Sequence, residues 1–288
     1  MTTRATRACL NCGAPLAGGY CGQCGQRVVP PYPSIREFMG DAWQELSGWD
    51  GRFVRTFRAL VRQPGGLTLE VLQGRRAQYI APVRLYLFAS VLYFLLAAAS
   101  PTVRVPDAET GRLREVKIGI WASDTDPGEF TAEERADFER LIEKSHWFFK
   151  PMFESVRDGG RSLQARVVPV MPKVLFALVP VFAAILALFY WGRPYLQHLI
   201  FALHLQTVIF IALATAEASK FTNSPQMVAL VAVPALLFIA VYALRGLRRV
   251  YQSSWPATIA KAAAVGAVYG LVSGTVIFMT VASLAFFL

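Results

Sequence analysis

The apolar positions of this chain gather into five long runs, at about 82–100, 173–191, 197–216, 226–244 and 262–288. Each approaches or exceeds the ~20 residues that a helix needs to cross ~30 Å of hydrocarbon, so the pattern predicts five transmembrane helices. The third run is diluted by Gln197, His198, His204 and Gln206, but the stretches 199–203 and 208–214 are continuous and lipid-compatible, and a span is predicted there too. Outside these runs the period is that of amphipathic helices. Over 52–63, Phe53, Val54, Phe57, Leu60 and Val61 share one arc of a helical wheel, and Arg52, Arg55, Arg58 and Arg62 share another. That separation suits a helix lying among anionic headgroups, or one packed beneath the membrane bundle. Ser34 and Glu37 form a capping box that opens a short helix through about Leu46. Thr131 and Glu134 form another, followed by Phe138, Leu141, Ile142, Phe149, Met152, Phe153 and Val156 on one face. This predicts an amphipathic helix over about 131–158, kinked near Pro151.

Composition agrees with burial in lipid: 55% of residues are hydrophobic and 17% charged, displaced in opposite directions from soluble averages. The net charge of +10 raises the question of nucleic acid, but a basic balance in a membrane protein is also what anionic headgroups and the positive-inside rule select. Membrane lipid is therefore the expected partner of the arginines, and nucleic acid is not. Charge also sets orientation. Arg52, Arg55, Arg58, Arg62, Arg75 and Arg76 precede the first span with Glu70 as the acid among them, and Arg245, Arg248, Arg249 and Lys261 lie between the fourth and fifth. Five spans put both groups on one side, which predicts a cytosolic N-terminus and an external C-terminus. Arg157, Arg161 and Arg166 fall on the opposite side, in a connection long enough to translocate regardless of charge. Arg4 and Arg7 are followed by no apolar stretch before Cys9, so no cleavable signal is expected and the first span acts as its own insertion signal.

All four cysteines lie between Cys9 and Cys24, in C-L-N-C-G and C-G-Q-C-G. A C-x-x-C turn presents two thiolates to one metal and leaves amides free to hydrogen-bond the sulfurs. Gly13 and Gly25 each follow the second cysteine of a pair, where a tight turn favours a residue that tolerates positive φ. Cys9, Cys12, Cys21 and Cys24 are therefore the predicted ligands of a structural Zn2+. Disulfides need an oxidising compartment, and a redox C-x-x-C belongs at the start of a helix in a βαβ unit. Neither context is present. The chain divides into a cytosolic ribbon (1–30), basic linker helices (31–81), the first span (82–100), an external segment (101–172) and spans two to five (173–288).

Three blocks together resemble a widespread bacterial family of uncharacterised membrane proteins, classed as a domain of unknown function. They are Y-C-G-Q-C-G-Q (Tyr20 to Gln26), G-R-F-V-R-T-F-R-A-L-V-R-Q-P-G (Gly51 to Gly65) and G-R-R-A-Q-Y-I-A-P (Gly74 to Pro82). Gln63 stands where the family pattern has Arg before Pro-Gly. The resemblance implies a bacterial inner-membrane location and a metal-binding ribbon, and it implies no activity.

Within the spans, His204 and Gln197 form a candidate intramembrane polar site for a proton relay or ligand, although no charged residue accompanies them. Glu217 and Lys220 read as solvated at the outer interface. Ala262, Gly266, Gly270 and Gly274 recur every four residues and predict close packing on another helix, in the same chain or, as a homo-oligomer, in a second copy. Pro180 and Pro234 predict kinks. Hydrolase, transferase and phosphate-binding motifs are absent from the sequence, so the expected role is non-enzymatic: a ribbon that docks a protein partner, anchored by an all-α membrane bundle. A small transporter or channel using His204 is the alternative, and an enzyme of lipid or envelope metabolism under the external helix the third reading.

Overall fold

The computed structural model describes residues 8–28, 52–101, 103–106, 113–116, 132–146, 150, 153 and 161–286. The capping box at Ser34 and Glu37, Thr131, the Pro151 kink, Phe149, Met152 and Val156 lie outside the described residues. Two short helices, α1 (Arg52–Arg62) and α2 (Gly66–Leu72), lead into α3 (Pro82–Ala99). A two-stranded antiparallel hairpin follows, β1 (Val103–Pro106) with β2 (Leu113–Val116), in register Val103 to Val116. Then come α4 (Ala132–Lys144), α5 (Arg161–Phe189), α6 (Tyr195–Ser219), α7 (Pro225–Tyr251) and α8 (Trp255–Phe286). Helices α3, α5, α6, α7 and α8 are long and apolar enough to cross a membrane, which marks a multi-pass membrane protein.

The centre of the bundle is α6, which packs against α3, α5 and α7, while α8 lies on α5 and α7. Of its most apolar stretch 67% is buried in protein, against 6% for α8. A helix apolar all round belongs inside, and its few polar groups can then be met by neighbouring helices instead of lipid. The core is aromatic: the Phe210 ring lies 5.7 Å from Tyr86 and 5.5 Å from Tyr93, and Tyr251 stacks on Tyr190 at 3.9 Å.

Several helix ends differ from the sequence expectation. The second spanning helix starts at Arg161, the fourth continues to Tyr251 and the fifth starts at Trp255, so Arg245, Arg248, Arg249 and Lys261 are helical instead of lying in a connection. Hydropathy marks the end of lipid, whereas the helix ends where the backbone leaves the α region, here at Gln252 with φ +53°. Lys261 sends its ammonium back along α8 to the Phe189 carbonyl (2.9 Å) and over the Tyr190 ring, the behaviour of a long cation near a span end. Of the amphipathic helix expected over about 131–158, the described part runs over Ala132–Lys144, after which Ser145 turns its hydroxyl back to the Ile142 carbonyl (2.7 Å). The hairpin was not anticipated, although Val103 and Val105 carry a short alternating pattern.

Candidate metal centre

The two cysteine turns share one construction. In the first, Cys9 N–H donates to the Ala14 carbonyl and Gly13 N–H to the Cys9 carbonyl, both at 2.8 Å. In the second, Cys21 N–H donates to the Gln26 carbonyl (2.8 Å) and Gly25 N–H to the Cys21 carbonyl (2.9 Å). Gly13 and Gly25 adopt φ +75° and +70°, the left-handed geometry expected of them. The turns bring four free thiols together. Sγ separations are 3.6 Å for Cys9–Cys24 and for Cys12–Cys21, and all four sulfurs lie within 4.8 Å of one another. Metal–sulfur bonds of ~2.3 Å in a tetrahedron place sulfurs ~3.8 Å apart, so the donor set fits a thiophilic metal ion. A disulfide needs ~2.05 Å, which none of these pairs approaches.

Electrostatics point the same way. Backbone amides of Cys24 and Gln23 hydrogen-bond the Cys21 sulfur and pull this thiol down to about 6. The Ala14 amide acts in the same direction on Cys12, but burial and the three other sulfurs outweigh it and push this thiol up to about 12. Thiolates crowded this closely repel one another unless a cation lies between them.

The four-cysteine module rests on the rest of the chain. Gln26, two residues after Cys24, donates through Nε2 to the Gly74 carbonyl (2.7 Å) and accepts through Oε1 from the Arg76 (3.2 Å) and Ala77 (3.1 Å) amides. Leu10 lies against Gly74, where an added Cβ would sit 2.7 Å from Leu10 Cδ1. Gly74 has φ +83° and no room for a side chain. Two of the sequence blocks that carry the family resemblance, around Gln26 and around Gly74, thus meet.

The 74–77 loop follows α2, and α2 is buried. Gly66, Leu67, Thr68, Val71 and Leu72 are all inaccessible, and α2 packs against α6 and α7. It fits because Gly65, at φ +71°, sits against Gly246: a Cβ there would lie 2.9 Å from Val250 Cγ2 and 3.0 Å from the Gly246 carbonyl oxygen. The Thr68 hydroxyl meets His204 Nδ1 at 2.9 Å. His204, 2% exposed, is therefore paired with a helix that precedes the first span, and no hydrogen bond among the described residues joins it to Gln197, itself 4% exposed. His198 pairs with the Tyr251 hydroxyl at 2.8 Å. Sequence reasoning missed Thr68, Gln26 and Leu10 because their partners lie far along the chain.

The other expected site residues divide. On α1, Thr56 and Leu60 are buried, with Thr56 Oγ1 accepting from the Ile80 amide (3.0 Å), while Arg55, Arg58, Arg62, Val54 and Phe57 are exposed. Arg75 grips Glu70 (Nη2 to Oε1, 2.6 Å), which holds that carboxyl below its usual range, and Arg76 donates to the Val71 carbonyl (3.2 Å). Ala262 packs on the core, but a Cβ at Gly266, Gly270 or Gly274 would meet nothing within 4 Å. The glycine strip thus does not pack within this chain among the described residues; α8 turns Val265, Tyr269 and Val272 inward instead. Glu217 and Lys220 are not solvated. They form a buried pair at 2.6 Å, with the Ser100 hydroxyl donating to the same carboxylate oxygen at 2.7 Å.

Residues 50–94, from the start of α1 through most of α3, are similar to the family described as Protein of unknown function (DUF3667). No curated protein and no solved structure matches the chain.

Proposed function

We propose that this is a bacterial inner-membrane protein without enzymatic activity, in which Zn2+ held by Cys9, Cys12, Cys21 and Cys24 folds a cytosolic ribbon that serves as a structural and protein-docking module anchored by the membrane bundle. The observation that carries this reading is the seat of the module, through the three hydrogen bonds from Gln26 to the 74–77 loop. The ribbon is held at one place on the bundle, while Tyr20, next to Cys21, stays 66% exposed. When bound, Zn2+ cross-links the two turns. Four thiolates fill a tetrahedral ion and leave no position for a reacting water, so interaction is the use this site supports. A module of this size buries little core, and the metal supplies its folding free energy. The pairing of His204 with Thr68 supports a structural role for that histidine. Exposed Arg55, Arg58 and Arg62 beside exposed Val54 and Phe57 support contact of α1 with an anionic inner leaflet. The positive-inside rule places the N-terminus in the cytosol and the C-terminus outside.

Cross-linked partner sets from wild type, Cys21→Ser and Tyr20→Ala test the docking role, with metal content measured on the same preparations. Loss of the same partner from both variants at unchanged membrane levels is the expected result. Identical partner sets, or wild-type protein with no stoichiometric zinc, would overturn it. A reporter fused ahead of Cys9 checks orientation, and a periplasmic signal refutes the assignment.

A further inference from the structure

We infer that metal loading of the four-cysteine module controls how firmly α2 is seated in the bundle, with the Gln26 side chain as the latch. The inference rests on the reading that the cluster holds a metal, and it adds a consequence inside the membrane domain.

Each link is a contact already described. The Gln26 carbonyl accepts from the Cys21 amide, so the backbone position of Gln26 belongs to the second cysteine turn. That turn has no core of its own among the described residues; its shape depends on the sulfurs meeting at one point. From this backbone the Gln26 amide group spans the loop, satisfying the Gly74 carbonyl and the Arg76 and Ala77 amides together. A primary amide is the side-chain group that donates to a carbonyl and accepts from two N–H groups at once. The loop is in turn the C-terminal end of α2, where the Gly74 amide donates to the Val71 carbonyl and the Arg75 amide to the Glu70 carbonyl. Helix α2 has only seven residues, too short to hold itself, and is kept in place by what surrounds it. Around the helix these are α1, Thr68 against His204 and Gly65 against Gly246; at its C-terminal end it is the ribbon, through Gln26 on the 74–77 loop. With the metal removed, the cysteine turn loosens, Gln26 is no longer fixed opposite the loop, and α2 loses the restraint at its C-terminal end.

Hydrogen exchange of the full chain in nanodiscs tests this, with metal content measured on every sample. Four samples are compared: zinc-loaded wild type, chelator-treated wild type, zinc-loaded Gln26→Glu, and zinc-loaded Ala17→Ser, an exposed position between the two cysteine turns that serves as the control. Glu keeps the size and the acceptor but cannot donate to the Gly74 carbonyl. Chelation and Gln26→Glu should each raise exchange across 66–77 by about five-fold or more, as expected when a local opening loses its restraining contacts. Gln26→Glu should do so while keeping one metal per chain, and Ala17→Ser should match wild type. The second readout is carbethoxylation of histidine. His146, which is exposed, is modified in every sample, whereas His204 becomes reactive only in the chelated and Gln26→Glu samples. Unchanged exchange over 66–77 after the metal has left would overturn the coupling and leave the metal centre standing. A wild-type chain that takes up no zinc would overturn the metal reading itself, and the coupling with it.

Discussion

Gly65→Ala probes the close approach of α2 to the backbone of α7. Two costs are added by one methyl group. The first is conformational: at φ +71° a side chain clashes with its own carbonyl, at ~1–2 kcal/mol. The second is packing. The new Cβ would lie 2.9 Å from Val250 Cγ2 and 3.0 Å from the Gly246 carbonyl oxygen, and the latter is helix backbone that cannot step aside without displacing α7. Overpacking of this kind costs ~1–3 kcal/mol, for a total of roughly 2–5 kcal/mol. Gly192→Ala isolates the first cost, since Gly192 has φ +81° with nothing within 4 Å of its Cβ position. Reversible unfolding of the purified protein in mixed micelles with increasing dodecyl sulfate measures both. Gly65→Ala should lose at least ~1 kcal/mol more than Gly192→Ala. Equal losses would show that α2 does not press on α7 as the structure has it, and the reasoning would fail.

The remaining expectations follow from single contacts. Glu217→Gln leaves the buried Lys220 without its carboxylate and should cost ~3 kcal/mol in the same unfolding assay, with Glu217→Gln/Lys220→Met recovering much of the loss. Metal retention should fall as pH drops, because protons compete with the ion for the four sulfurs, while the Cys24 and Gln23 amides hold the Cys21 thiol low and oppose its protonation; zinc content after equilibration at stepped pH reads this directly. Glu70, depressed by Arg75, contributes stability above the ordinary carboxylate pKa that is lost as pH falls through its lowered folded value. Glu70→Gln should therefore flatten the acid limb of stability against pH, and parallel curves would refute the pairing. Gly270→Leu adds a side chain whose Cβ meets nothing within 4 Å among the described residues, and monomer stability should stay within ~1 kcal/mol of wild type in the unfolding assay.

Much of this was legible because its cause is local. Hydrocarbon thickness demands a run of apolar residues whatever the helices later do, so the spans were visible from run length. The C-x-x-C-G turns close within six residues each, and the glycine conformations at 13 and 25 follow from that closure. The segment 52–62 is a helix because its period is helical, but which side is buried was not written in the period. The wheel put Val54 and Phe57 with Leu60, whereas the fold buries Thr56 with Leu60 and leaves those two outside. Thr56 is buried because the Ile80 amide, on the approach to α3, needs an acceptor.

By itself, then, the sequence determined that the chain lives in a membrane, how many times it has the means to cross, and where four thiolates would gather. Tertiary structure alone decided which helix is central and what each polar group meets. The run diluted by His198, His204 and Gln206 looked like the weakest span and is the buried one, because partners such as Tyr251, Thr68 and Tyr269 come from other helices. The glycine strip on α8 looked like a packing seam, and its glycines meet no neighbour among the described residues. Gln26 and Gly74 are 48 residues apart, and only the folded chain shows that the second cysteine turn and the 74–77 loop share hydrogen bonds. Run length and turn closure are properties of neighbouring residues. Burial and pairing are properties of surfaces brought together by folding, and no window on the sequence contains both sides.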